Sequence, residues 1–157
     1  MENNFIIYNR NPEGKNIKDC VVRAFSTAFD LSYDLTLQRL TLARSELHYK
    51  SIKDTDFIDE YLEKIGSEKL SFKPEKGKPR IKLCQFADQH KDGVYIVRVK
   101  GHIAAVIEGC VLDTWDSTYL TVYKAWKVPS NTTLEDLGLD KCFGEHKEPR
   151  RYGEFIL

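Results

Sequence analysis

The sequence predicts an α+β domain, with helices in the N-terminal half and an antiparallel sheet after them. Three observations carry that prediction. Apolar residues recur at helical spacing in successive segments between residues 19 and 66. From Gly93 the apolar period changes to two and holds through several short runs. Neither a repeat nor a low-complexity linker interrupts the 157 residues, so residues 1–157 read as a single domain.

Each element follows from local chemistry. Phe5 to Tyr8 is a short strand or an extended arm, and NRNPEGKNIKD after it is loop chemistry: Asn-Pro, Gly and short polar side chains. A helix begins near Asp19 or Cys20, because VVRAFSTAF places Val21, Ala24, Phe25 and Ala28 on one stripe, with Asp19 as its N-cap. Ser32 caps a second helix, in which Leu35, Leu40, Ala43 and Leu47 repeat. A third runs through DTDFIDEYLEKIG, with Phe57, Tyr61 and Ile65 on one face and Gly66 as its stop. EKLSFKPEKGKPR is a short extended piece and a basic loop, followed by a short helix across KLCQFADQH. GVYIVRVK, GHIAAVIEG, CVLDTWDS and VYKAWKV are four strands, with Glu108-Gly109 as the turn between the middle two. The tail holds at most a short helix capped near Thr132.

Composition narrows the function classes. Hydrophobic residues make up 41% and charged residues 31%, which describes a globular chain. Lys plus Arg equals Asp plus Glu at 24 each, so nothing supports a nucleic-acid binder that relies on phosphate neutralisation. The N-terminus lacks a basic start and apolar h-region, and no apolar run is long enough to span a bilayer. A cytoplasmic location is therefore expected, with delivery as an effector left open and the oligomeric state undefined. The wide spacing of Cys20, Cys84, Cys110 and Cys142 argues against two disulfides. With no CxxC and with His48, His90, His102 and His146 scattered singly, no metal site is expected, and no Gly-rich nucleotide loop points to a cofactor.

Two positions carry the reactive chemistry. Cys20 stands where a polar loop becomes an apolar helix, and a thiol in a first helical turn faces unpaired N–H groups that favour the thiolate. Cysteine also packs readily in cores, so position alone leaves a structural role open. His102 follows Gly101 at the start of the apolar run IAAVI. If Glu108 and Gly109 form a two-residue turn, Ile107 faces Cys110, Ala104 faces Asp113 and His102 faces Trp115. His102, Ala104, Asp113 and Trp115 then share one face, and Asp113 lies diagonal to His102. Asp116 falls on the other face, as an alternative acid only if the strand twists or ends first. A thiol, an imidazole base and an orienting acid are what a nucleophilic hydrolase needs, and Trp115 can shield the His–Asp contact from water.

The order DCVVRAF, then GHIAAVIEGCVLDTWD, resembles the papain-like cysteine peptidases, closest in layout to compact bacterial and phage-encoded members related to the bacteriocin-processing peptidases. The resemblance covers about Asn11 to Trp126. It implies a papain-like fold with Cys20 as nucleophile, His102 as general base and Asp113 as third member. The implied activity is cleavage of a peptide or isopeptide bond in a peptide or protein substrate, without a cofactor. That family has a Gln several residues before the nucleophile to complete the oxyanion hole. This chain has none, and Asn16 is the nearest amide, with Asn11 and Lys15 as further options and the Val21 backbone amide beside the thiol. Two alternatives stand: an amidase or acyltransferase on a small or cell-wall peptide substrate, and a catalytically inactive papain-like binding protein.

The remaining candidates read as structural or surface features. Cys84 and Cys110 sit in apolar contexts that suit a core, and His48 and His90 fall near helix ends. Cys142 and His146 lie in the irregular tail without a base-and-acid arrangement around them. Lys73–Arg80 and Lys147–Arg151 contain interspersed acids and read as solvated surface. Tyr8, Tyr119 and Tyr123 are candidates to line a groove.

Overall fold

The computed structural model describes residues 4–14, 18–70 and 76–140. Ten elements run in the order β1 (Phe5–Ile7), α1 (Cys20–Ala28), α2 (Tyr33–Glu46), α3 (Thr55–Lys64), β2 (Glu68–Lys69), α4 (Leu83–Gln89), β3 (Val94–Val99), β4 (His102–Ile107), β5 (Cys110–Asp113) and β6 (Val122–Lys127). The strands form one six-stranded sheet in the order β1-β5-β4-β3-β6-β2. All its pairings are antiparallel except β1 on β5.

This is an α+β architecture, but helices and strands are less segregated than their order predicts. The N-terminal arm is a strand that adds to the sheet edge parallel to β5, and β2 closes the opposite edge against β6. The helices also lie on both faces. Val94, Ile96, Ile103, Ala105 and Ile107 join a core with α1, α3 and Leu40 of α2. Tyr95, Val97, Val99, Ala104 and Val106 join a second core with Leu83, Phe86 and Ala87 of α4. A sheet covered on both sides needs strands apolar at every position, and β3 is buried at all but Arg98.

α1 is the central helix. Every residue from Val21 to Ala28 is buried, not only the predicted stripe, because the helix is held between the sheet and α2. Ser32 caps α2 by accepting from the Leu35 N–H. Of the predicted α2 repeat, Leu40 is buried, Ala43 and Leu47 are partly buried, and Leu35 is exposed. In α3 the buried face is Phe57, Ile58 and Leu62, with Tyr61 and Ile65 packed at its border, and Gly66 stops the helix at φ +91°. In the tail a single turn, opened by reciprocal hydrogen bonds between Thr133 and Asp136, replaces the helix expected from Thr132.

The β4–β5 hairpin turns where the sequence placed it. Glu108 and Gly109 have φ of 50° and 78°, both in the left-handed region that such a turn requires, and Ile107 pairs with Cys110. The β3–β6 ladder shifts register beside the site: Arg98 pairs with Lys124 but Val99 with Val122, leaving Tyr123 as the extra residue of a bulge.

Candidate active site

Cys20, the first residue of α1, meets His102, the first residue of β4. The thiol lies beside the imidazole and the Ile103 backbone, close enough for both to act on its charge. Burial would raise the thiol pKa, but the hydrogen bond and charge of His102 outweigh it, so the pKa falls below its ordinary value. The ring shows the complementary effect. Burial would lower its pKa, yet the hydrogen bonds to Asp113 and Cys20 push it up to about 9. A proton passing from sulfur to ring is favoured on both sides.

His102 Nε2 donates to Asp113 Oδ2 at 2.6 Å. Asp113 is itself held from two further directions. Its Oδ2 accepts from the Ser117 hydroxyl at 2.7 Å and its Oδ1 from the Thr114 N–H at 2.8 Å. The backbone beneath it is fixed by β1, since the Tyr8 N–H donates to the Asp113 carbonyl at 2.8 Å. Asp116 plays no part in this contact, because its carboxylate accepts both the N–H and hydroxyl of Thr118. β5 ends at Asp113, so Trp115 reaches His102 from the loop and not as a cross-strand partner; the two rings are 4.9 Å apart at their centroids.

The start of α1 departs from the sequence reading. Asp19 occupies the N-cap position, but its side chain makes no cap hydrogen bond. Its carboxylate is turned into a buried network, paired with Arg23 and accepting from Asn11 Nδ2 at 3.0 Å and from the Tyr33 hydroxyl at 2.8 Å. The first helical hydrogen bond is Arg23 N–H to the Asp19 carbonyl. The N–H groups of Cys20, Val21 and Val22 therefore precede the helical ladder, and the cap side chain does not occupy them. Asn11 cannot act as the oxyanion amide, because its Nδ2 is bound to Asp19 and its Oδ1 accepts from the Glu13 N–H. Asn16 and Lys15 lie outside the described residues.

A cavity of roughly 1010 Å³ opens beside the Cys20–His102 contact. Val21, Ile58, Val99 and Ile103 give it an apolar lining, and the exposed rings of Trp115 and Tyr123 also border it. Of the three groove aromatics expected from the sequence, Tyr123, at the bulge in β6, borders this cavity, whereas Tyr8 is buried and Tyr119, though exposed, is not among the lining residues.

The other cysteines separate cleanly. Cys20 and Cys84 are free thiols, so the four cysteines do not form two disulfides, whereas Cys110, read from the sequence as a core residue, is engaged in one. Cys110 belongs to the core shared with α1, on the opposite face of β5 from Asp113. Cys142 and His146 lie outside the described residues. Among the described residues no group of His, Cys, Asp and Glu is arranged to hold a metal ion, and no helix is long and apolar enough to cross a membrane.

Sequence reasoning missed three features here: the Asp19–Arg23 network, the Ser117 contact to Asp113, and a carboxylate on α3, Asp59, that pairs with Arg98 and Lys124. Each joins residues from different elements, so no local pattern marks it. The signal nearest to a clue was Arg23, a charged residue inside an otherwise apolar helix. Compared with known protein families, curated proteins and solved structures, the chain matches none.

Proposed function

We propose that the protein is a papain-like thiol hydrolase that cleaves a peptide or isopeptide bond. The observation that carries this reading is the placing of the Cys20 thiol beside a His102 ring whose Nε2 is held by Asp113. With Nε2 committed to the carboxylate, Nδ1 is the nitrogen left to exchange a proton at the reacting centre. In this mechanism the Cys20 thiolate attacks the substrate carbonyl. The oxyanion is received by the N–H groups at the start of α1, which Asp19 leaves uncapped. His102 gives its proton to the departing amine as the tetrahedral intermediate collapses to a thioester. The neutral ring then takes a proton from water, and the resulting attack releases the acid and restores the thiolate.

The uncapped amides answer the missing upstream Gln. A single backbone donor at the nucleophile, joined by a neighbour in the same helical turn, supplies the role that the side-chain amide would otherwise fill.

Thiol labelling tests the proposal. Iodoacetamide alkylation of Cys20, followed by mass spectrometry across pH 4 to 10, should show thiolate reactivity well below the ordinary thiol range. That reactivity should be lost in His102→Ala. If Cys20 reacts no faster than a small free thiol at neutral pH, and His102→Ala changes nothing, the hydrolase reading is wrong.

A further inference from the structure

Resting on that reading of the site, we infer that the cavity beside Cys20 selects a substrate carrying an acidic side chain next to the scissile bond. Among the described residues four basic side chains line the cavity, Lys18, Arg23, Lys53 and Arg98, and neither Asp nor Glu does. Arg23 is committed to Asp19, which removes it from the count. The other three carry the argument.

Arg98 is short of acceptors. Its carboxylate partner, Asp59, is shared with Lys124, whose Nζ lies 2.5 Å from Oδ2, so one anion faces two cations. Arg98 Nη2 reaches that same oxygen only at 3.5 Å. Its Nη1 is 3.3 Å from Asp59 Oδ1 but makes no aligned hydrogen bond, and both atoms are buried. A guanidinium has five N–H donors and favours bidentate contact with a carboxylate. Among the described residues Asp59 is its one carboxylate partner, met only at these longer distances. Lys18 and Lys53 are exposed, and neither ammonium has an ion-pair partner among the described residues.

Position connects this charge to the chemistry. Val99 pairs across the sheet with His102, and Arg98 with Ile103, so Arg98 stands one residue along the strand from the partner of the proposed base. A carboxylate received there lies within about one residue of the bond presented to Cys20. The aliphatic stem of a Glu would lie on Ile58, Val99 and Ile103, which line the same cavity. The two lysines add a field that draws an anionic substrate toward the cavity.

Affinity labelling tests the inference. Acetyl-Glu-Ala and acetyl-Ala-Glu chloromethyl ketones are compared with their Gln counterparts, reading the rate at which the Cys20 sulfur displaces chloride. Glu and Gln are close in shape, so the rate ratio within each pair reports charge. At least one Glu reagent should react roughly tenfold faster than its Gln counterpart at low salt, with the ratio falling as ionic strength rises. The ratio should collapse in Arg98→Gln and in Lys18→Gln/Lys53→Gln; the lysine variant serves if loss of Arg98 prevents folding. Ratios at or below one for both pairs, while Cys20 still reacts rapidly, overturn the charge selection and leave the hydrolase reading intact. If none of the four reagents modifies Cys20 faster than a small free thiol, both fail together.

Discussion

Replacing Asp113 by Asn removes a negative charge from the His102 contact while keeping the shape of the side chain. His102 is pushed up to about 9 from an ordinary 6.5, with hydrogen bonding to Asp113 the largest of the influences that raise it. A rise of that size is at most about 3 kcal/mol of preference for the protonated ring, and about 2 kcal/mol once screening by solvent in the open cavity is allowed for. A neighbouring carboxylate ordinarily accounts for one to three pH units of such an effect, so Asp113→Asn should lower the His102 pKa by at least about one. The measurement is an NMR titration of the histidine rings in a Cys20→Ser background, with the His102 signal identified by its loss in His102→Gln. Because the thiol is absent in both proteins, the difference isolates Asp113. A His102 pKa that stays within about 0.3 of the parent would refute the argument that this carboxylate sets the charge of the ring.

Two further outcomes follow from the same geometry. Asp19→Ala removes the carboxylate paired with the buried Arg23 guanidinium, which costs up to roughly 3 to 5 kcal/mol; the urea midpoint should fall accordingly with little change in slope, and a loss under 1 kcal/mol would mean the network is solvated. Stability should also depend on pH through His102. Its folded-state pKa is raised, so the stabilisation is complete below pH 6.5 and lost as pH rises through about 9. In Cys20→Ser, which removes the thiol's share of the rise and so closes the window below 9, the urea midpoint should decline from pH 6.5 upward, and adding His102→Gln should flatten the decline; equal slopes in the two proteins would contradict it.

The parts of the site legible in the sequence are those set by short-range rules. The Glu108-Gly109 turn fixes which residues of β4 and β5 share a face, and that brings Asp113 to His102; Asp116 lies beyond the end of β5, where its contacts to Thr118 and not parity set it aside. The start of α1 is equally local, since polar loop chemistry gives way to an apolar run at Cys20. What stayed hidden depends on distant residues. Nothing near Phe5 announces a parallel partner at Val111, and a seven-residue helix such as α4 carries no mark of which sheet face it covers. Asp19 is the clearest case. Local preference makes it a cap, but a buried Arg23, with Asn11 and Tyr33, competes for the same carboxylate and wins. The Cys110 disulfide likewise depends on spatial proximity that spacing does not encode.

The parallel pairing of β1 with β5 also bears on when the site comes into being. Ile7 lies beside Asp113, Cys20 meets His102, and the backbone of Tyr8 is tied to that of Asp113. These contacts close loops of roughly a hundred residues, the kind formed late in folding because their closure entropy precedes any reward. During synthesis Cys20 emerges long before the imidazole and carboxylate that set its charge. Until then its sulfur has no partner to accept its proton, and the nascent chain carries an ordinary thiol. On the proposed hydrolase reading, reactivity is thus acquired only on completion of the sheet, which spares the unfinished chain and its neighbours from a nucleophile without a shaped cavity to restrain it.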